Sequence, residues 1–239
     1  MSSSEGPDPI LLTLFANRFM SVAEAMGRSL QQTSISTNIK ERLDFSCALF
    51  APDGDLVANA PFIPIHLGSM SLCASYVSHP LLVLIELDSA VKYQMKLLGD
   101  DLKEGDVLMT NSPHAGGSEV LLIFTVCPVD PNLPCCRHLP DITIISPVFH
   151  PESKEIIFLT ASRGHHADIG GILPGSMPPT SVNIFEEGAE IVSFKLVKEG
   201  IFDSKGLYGY MIDKPAMYPG SSGCRNIRDV ESDLKAVSQ

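Results

Sequence analysis

Two apolar runs decide the fold of this chain, His138-Leu-Pro-Asp141-Ile-Thr-Ile-Ile-Ser-Pro-Val-Phe149 and Glu155-Ile-Ile-Phe-Leu-Thr-Ala-Ser-Arg163-Gly-His165-His166-Ala-Asp168-Ile-Gly-Gly171. The polar segment Pro151-Glu-Ser-Lys154 lies between them and is typical of a turn. Both runs are rich in β-branched residues, so the pattern predicts an antiparallel hairpin.

The centre of the turn fixes which residues face each other across the predicted hairpin. A turn centred at 152–153 places Asp141 opposite Gly164 and His138 opposite Ala167. We therefore expect the first residues of one strand to meet the last residues of the other.

The motif His-x-x-Asp-Ile occurs twice in this region, at 138–142 and at 165–169. The predicted register brings both copies to one end of the hairpin. Imidazole nitrogens and carboxylate oxygens on strand ends are suitable ligands for a divalent metal ion, and zinc, manganese and iron are all chemically reasonable. The Gly-Gly pair at 170–171 would let backbone or a ligand approach closely. The alternative interpretation is that these polar residues only hydrogen-bond one another.

The composition indicates a protein with a sizeable core and no nucleic-acid partner. Hydrophobic residues make up 44% of the 239 residues, which is enough for one large domain or two small ones. The net charge of −11 repels phosphate groups, and the 17 Lys and Arg residues form no basic stripe. The six cysteines show no Cys-x-x-Cys spacing, so we expect reduced thiols.

The sequence shows no membrane span and no secretion signal. The longest apolar runs, such as 120–129, are too short to cross a bilayer. Residues 1–7 have neither a basic region nor an apolar core, and we expect them to be disordered. These features predict a cytoplasmic protein without a membrane partner.

Asp8-Pro9 predicts the start of a long helix, because a capping carboxylate precedes a proline at the first helical position. Apolar residues then recur every three or four positions through about residue 32 and predict one buried stripe: Leu11, Phe15, Phe19, Val22, Met26 and Leu30. We expect this helix to belong to the core rather than to a site.

A second hairpin is predicted near the N-terminus. The strand-like runs 45–50 and 56–60 flank Pro52-Asp-Gly-Asp55, which is a strong turn signal. With the central hairpin and the long helix, this pattern predicts an α+β fold with mixed or antiparallel sheets.

A candidate substrate-binding loop follows the predicted strand 106–110. The loop contains Asn111, Gly116 and Gly117. Its amide groups could surround an anion or a substrate carboxylate. We therefore assign these three residues to substrate binding.

Six stretches distributed along the chain are distinctive: Ser36-Thr-Asn-Ile-Lys-Glu-Arg-Leu-Asp-Phe-Ser-Cys47, Gly105-Asp-Val-Leu, His138-Leu-Pro-Asp-Ile, Ser162-Arg-Gly-His-His-Ala-Asp-Ile-Gly-Gly171, Pro174-Gly-Ser-Met-Pro-Pro179 and Ser222-Gly-Cys-Arg-Asn-Ile-Arg-Asp229. Together they resemble the hydantoinase B/oxoprolinase family. Within that family, the greatest likeness is to the C-terminal part of the eukaryotic ATP-dependent 5-oxoprolinases. Residues 8–239 are accordingly interpreted as the N-terminal half of a truncated hydantoinase B-type domain.

The resemblance implies a hydrolase that works with a second part. In this family a hydantoinase A-type part uses ATP and Mg²⁺ to phosphorylate the lactam oxygen, and the B-type part converts the activated intermediate to the ring-opened product. For 5-oxo-L-proline that product is L-glutamate, in glutathione metabolism. The implied partner is a hydantoinase A-type subunit or a full-length oxoprolinase, because this sequence has no Gly-x-x-x-x-Gly-Lys-[Ser/Thr] motif to bind ATP phosphates.

The resemblance also implies a metal site. Related carboxylase subunits hold a metal on the His-x-x-Asp motif and on a later histidine, which are His138, Asp141 and His165 in this sequence. The metal would polarise the activated carbonyl or a water molecule. His166 or Asp168 would then move protons.

The sequence departs from the family pattern at several positions. Residues 73–89 and 119–137 are apparent insertions that are apolar and contain cysteine, and Phe62 stands where the family usually has histidine. We hypothesise that the insertions are short retained introns. Abundant spliced transcripts that keep both segments would contradict this hypothesis.

Two other functions are compatible with the sequence. One is an inactive fragment or an interaction-only remnant, since the insertion at 119–137 directly precedes the first proposed metal ligand. The other is a ketone carboxylase subunit built on the same scaffold. Bicarbonate-dependent and lactam-dependent ATP turnover distinguish the carboxylase from the lactam hydrolase.

Overall fold

The fold is organised on an antiparallel sheet. The computed structural model describes residues 8–60, 62, 86–112, 115, 139–176, 178, 181 and 183–238. Within them the sheet has seven strands in the order β2-β1-β5-β4-β3-β6-β7, and all neighbouring strands pair antiparallel. The strands are β1 Phe45–Phe50, β2 Leu56–Asn59, β3 Val107–Thr110, β4 Asp141–Phe149, β5 Ile156–His165, β6 Phe194–Lys198 and β7 Ile201–Phe202.

Helices pack against both faces of this sheet. They are α1 Pro9–Thr33, α2 Thr37–Lys40, α3 Glu86–Leu98, α4 Ser204–Tyr208, α5 Lys214–Ala216 and α6 Ile227–Val237. The α+β fold with antiparallel strands and a long N-terminal helix is therefore confirmed. Among the described residues, no helix is both long and apolar enough to cross a bilayer.

Alternate residues of β1 face different helices. Cys47 and Leu49 pack with α1, whereas Ala48 and Phe50 pack with α3. This alternation follows from the two-residue period of a strand, and it makes β1 and the neighbouring β5 the middle layer of the fold. The central hairpin is thus covered on both faces, which explains why its strands are apolar over most of their length.

Helix α1 begins as predicted but is only partly buried. The Asp8 carboxylate accepts the Ile10 N–H at 2.9 Å, and the helix buries Ala23, Gly27 and Leu30. The stripe predicted for the first half is wrong as a core element, because Leu11 is 52% exposed and Phe15 is 55% exposed. The sheet face provides partners for this 25-residue helix only from Phe19 onward.

Phe62 has a packing role. Its ring lies 4.7 Å from the ring of Phe45, centroid to centroid, and it covers Gly27 of α1. Phe62 is thus part of the core beneath α1.

The proposed insertions lie mostly outside the described residues. Segment 119–137 is entirely outside them, and only 86–89 of segment 73–89 is described, as the first turn of α3. The retained-intron hypothesis therefore stays a prediction.

Candidate functional site

The central hairpin forms as predicted, but its register shifts by one residue. Next to the turn, Phe149 pairs with Ile156, as the predicted turn requires. A β-bulge follows, and from Val148, which pairs with Phe158, every pair is displaced by one position. Asp141 consequently faces His165, and the predicted pairing of Asp141 with Gly164 is wrong.

The bulge brings an imidazole and a carboxylate directly together at the end of the hairpin. His165 Nδ1 lies 2.7 Å from Asp141 Oδ1, and the two side chains are only 15% and 8% exposed. Directly opposite residues of an antiparallel pair project from the same face of a sheet. With a proton on Nδ1, His165 donates this N–H to the Asp141 carboxylate, and the contact fixes the orientation of the ring.

This pair supplies two of the three donors that a metal site would need. Two ligands bound at about 2.1 Å to a tetrahedral ion lie roughly 3.4 Å apart, so the pair would open by under 1 Å to hold one ion between its atoms. Among the described residues, no group of three His, Cys, Asp or Glu side chains is arranged to hold a metal. A complete site therefore needs a donor from elsewhere, and the predicted third ligand, His138, lies outside the described residues.

Arg163 is a polar residue near this pair that the sequence analysis did not identify. It is 1% exposed, and its Nε donates to Thr143 Oγ1 at 2.7 Å. Arg163 faces Thr143 just as His165 faces Asp141, two residues further along each strand. Because side chains two apart on a strand share a face, a buried guanidinium lies next to the candidate site. An arginine inside an otherwise apolar strand was the available signal.

His166 lies on a different side of the strand end from His165. It lines a cavity of about 160 Å³ whose other walls include residues 35–38 and α6. Burial, and to a smaller extent the interaction with His165, lower the pKa of His166 from 6.5 to about 4, although Asp141 partly opposes the shift. His166 is thus neutral at pH 7, and its Nδ1 has no hydrogen-bond partner among the described residues.

Asp168 anchors the loop that follows β5. Its carboxylate accepts the Gly170 N–H at 2.8 Å and the Ser176 hydroxyl at 3.3 Å, and it pairs with Arg225 at 3.0 Å. The Ser176 hydroxyl in turn accepts the Ile169 N–H at 2.9 Å. The sequence placed Asp168 in a site, but it did not reveal these contacts with residues up to 57 positions away.

The Gly-Gly pair allows a close backbone approach. Gly170 has φ +91°, and a Cβ on Gly171 would lie 2.8 Å from the Glu187 carbonyl oxygen. The backbone of residues 186–188, rather than a ligand, occupies the space beside Gly171. The expectation that backbone approaches here is therefore confirmed.

Asn111 is buried and bonded to three backbone groups. Its Nδ2 donates to the carbonyl oxygens of Leu139 at 2.7 Å and Ala189 at 2.8 Å, and its Oδ1 accepts the Ile191 N–H at 2.7 Å. These bonds fix the end of β3 against the start of β4. Gly116 and Gly117 lie outside the described residues, so substrate binding by this loop stays a prediction.

The two described cysteines are not ligands of this site. Cys47 and Cys224 are free thiols, as predicted. Burial raises the pKa of each to about 11, so both stay protonated at neutral pH.

Comparison with known proteins is consistent with this architecture. The model of the hydantoinase B/oxoprolinase family matches residues 8–133 and 130–239. The 5-oxoprolinase of Saccharomyces cerevisiae is 50% identical over 229 residues, which cover 96% of this chain. The matched part is only 15% of the length of that relative.

Two solved structures have the same fold. The ATP-dependent caprolactamase from Pseudomonas jessenii matches with a TM-score of 0.68 at 27% identity, over 96% of this chain and 31% of that chain. A nucleotide-free acetone carboxylase matches with a TM-score of 0.70 over 97% of this chain and 24% of that chain. At 18% identity, this second likeness shows the fold alone.

Proposed function

This chain belongs to the hydantoinase B/oxoprolinase family, and from that premise we propose that it is the hydantoinase B-type part of an enzyme that opens 5-oxo-L-proline to L-glutamate. The likeness to a 5-oxoprolinase at 50% identity supports this substrate. The observation that carries the proposal is the 2.7 Å contact between His165 and Asp141 at the end of the central hairpin.

The reaction is divided between two parts in this proposal. A hydantoinase A-type part uses ATP and Mg²⁺ to phosphorylate the lactam oxygen, and this chain receives the activated ring. The loop at Asn111, Gly116 and Gly117 would contact the substrate. The hydrogen bonds of the Asn111 side chain to the backbone of Leu139 and Ile191 would hold the start of this loop in place.

His138, Asp141 and His165 would hold a divalent ion, for which manganese, zinc and iron are all suitable. Such an ion acts as a Lewis acid towards a carbonyl and lowers the pKa of a bound water molecule. The protein provides the orientation, because Asp141 and His165 face each other on the paired strands β4 and β5.

Of the two residues proposed to move protons, His166 has the more suitable surroundings. It is neutral at pH 7 because burial lowers its pKa to about 4, and its Nδ1 has no partner among the described residues. The Asp168 carboxylate is engaged by Arg225, Gly170 and Ser176. We therefore assign proton transfer to His166 and loop anchoring to Asp168.

Metal analysis of purified protein tests the proposed site. We expect about one divalent ion per chain in the wild type, and at least a roughly tenfold loss of metal in His165→Ala and in His138→Ala. His150→Ala is the matched control, because His150 bonds the turn at the opposite end of the same hairpin. Equal metal content in all four proteins would contradict the site.

Activity is tested on mixing this chain with a hydantoinase A-type partner. The proposal predicts ATP hydrolysis that depends on 5-oxo-L-proline and that His165→Ala abolishes. Turnover that depends on bicarbonate and a ketone would identify a carboxylase subunit instead. Absence of both activities, with metal bound, would leave the interaction-only function.

A further inference from the structure

The first three turns of α1 form an apolar tip that the sheet does not cover. All residues from Asp8 to Arg18 are exposed, and the segment Pro9–Asn17 contains no charged residue. Its large apolar side chains are more than half exposed: Ile10 71%, Leu11 52%, Leu12 59%, Leu14 55% and Phe15 55%. Such a concentration of apolar surface marks an interaction site.

From Phe19 onward, α1 is anchored by packing against the sheet. Phe19 packs on Phe158 of β5 at 5.2 Å between ring centroids, and Leu30 is 3% exposed against β1. This half has one buried face and one solvent face, like most surface helices. The tip is therefore a rigid projection from an anchored helix.

Large apolar residues cover more than half of the circumference of the tip, and Thr13 and Asn17 lie together on the remaining side. Successive residues of an α-helix are about 100° apart around the axis, so Ile10, Leu11 and Leu12 point in three different directions. An apolar sector this wide exceeds the single stripe of an ordinary surface helix, which indicates contact with protein on more than one side. Pairing of two tips along one seam would cover a single side of each, so a second copy of this chain does not account for the pattern.

The amount of polypeptide beside this segment in its relatives indicates what encloses the tip. The matched part is 15% of the S. cerevisiae 5-oxoprolinase and 31% of the caprolactamase chain. The family match begins at residue 8, so α1 belongs to the shared segment. The remaining polypeptide is large enough to form a concave surface around three helical turns.

We propose that the tip of α1 inserts into an apolar, uncharged groove on the part of the oxoprolinase-type enzyme that this chain does not match. This proposal rests on the proposed function, because it takes the 5-oxoprolinase scaffold as the partner. The tip is then the contact through which the hydantoinase B-type part is fixed to the rest of the enzyme.

Hydrogen exchange tests the proposal in two proteins. One is this chain alone, and the other is S. cerevisiae 5-oxoprolinase in which this chain replaces the matched segment. We expect the amides of residues 10–17 to exchange at least about tenfold more slowly in the full-length protein than in the isolated chain. Leu11→Ser with Phe15→Ser should remove that protection.

The control variant replaces two exposed apolar residues outside α1, Ile201→Ser with Met217→Ser, which are 75% and 78% exposed in the wild type. It should leave the protection of residues 10–17 unchanged. Equally fast exchange in both proteins would overturn the proposal. Protection in the isolated chain, whether constant or rising with protein concentration, would also overturn it, since the tip would then be covered without the scaffold.

Lactam-dependent ATP hydrolysis by the same full-length protein separates this proposal from the proposed function. A protected tip without lactam turnover would support the docking and contradict the activity. Lactam turnover with an unprotected tip would support the activity and contradict the docking.

Discussion

Asp141 and Asp168 occupy the same position in two copies of one motif, His-x-x-Asp-Ile, yet their surroundings differ. Asp141 lies in a strand, 2.7 Å from His165. Asp168 lies in a loop and holds Gly170, Ser176 and Arg225. Backbone groups of a strand are bonded to neighbouring strands, whereas a loop has N–H groups that need a side-chain acceptor. The same residue therefore contacts an imidazole in one copy and anchors a loop in the other.

The largest difference between the two aspartates should appear in stability. Asp168→Ala removes the ion pair with Arg225 and leaves the Gly170 N–H and the Ser176 hydroxyl without this acceptor, and we expect a loss of about 3 kcal/mol in the free energy of unfolding. Asp141→Ala should cost about 1 kcal/mol, because it removes the hydrogen bond with His165, whose ring can turn to another partner. Urea denaturation of both variants measures the difference. Equal losses would remove the distinction between a site carboxylate and a structural one.

The pH dependence of stability tests the role of His166, which lies beside Asp168 in the second copy of the motif. Burial lowers the pKa of His166 from 6.5 to about 4. Between these two pH values the folded state therefore binds fewer protons than the unfolded state. The stabilisation is fully present above pH 6.5 and is lost as the pH falls towards 4, by about 3 kcal/mol in total. His166→Gln should lose this pH-dependent component. Urea denaturation at pH 7 and pH 4.5 measures it, and an unchanged slope in the variant would contradict the assignment.

The smallest effect concerns the glycines next to the two regions. In Gly171→Ala the new Cβ meets the backbone oxygen of Glu187 at 2.8 Å, and we expect a loss of about 2 kcal/mol. In Gly164→Ala, at the strand end, the nearest atom is the tip of the Ile39 side chain at 3.2 Å. This tip can move, so we expect a loss below about 1 kcal/mol. Thermal unfolding of the pair tests the order, and a larger loss in Gly164→Ala would reverse it.

Local sequence patterns were sufficient to predict most of the helices and hairpins named in the sequence analysis. Asp8-Pro9 predicted the start of α1, the apolar runs predicted the β4–β5 hairpin, and Pro52-Asp-Gly-Asp55 predicted the β1–β2 hairpin. These predictions succeed because capping, strand alternation and turn formation depend on residues close in sequence. The exposure of Leu11 and Phe15 was not predictable, since periodicity shows which residues share a face but not whether anything covers that face.

The candidate site was only partly predictable. The sequence indicated that Asp141 and His165 approach each other, but it gave the wrong facing pair. Arg163 and Arg225 were missed, because their partners Thr143 and Asp168 are 20 and 57 positions away. Such contacts depend on strand register and loop closure rather than on spacing.

The sequence by itself determined the family, the antiparallel hairpin and the presence of imidazole and carboxylate groups near its end. Only the tertiary structure decided that His165 faces Asp141, because one bulge between Val148 and Phe149 shifts the whole register. A bulge arises from how a strand fits its neighbours, and an alternating apolar pattern continues through it with little change. The difference between the contacts of Asp141 and Asp168 has the same origin, since identical motifs acquire different partners from the backbone that surrounds them.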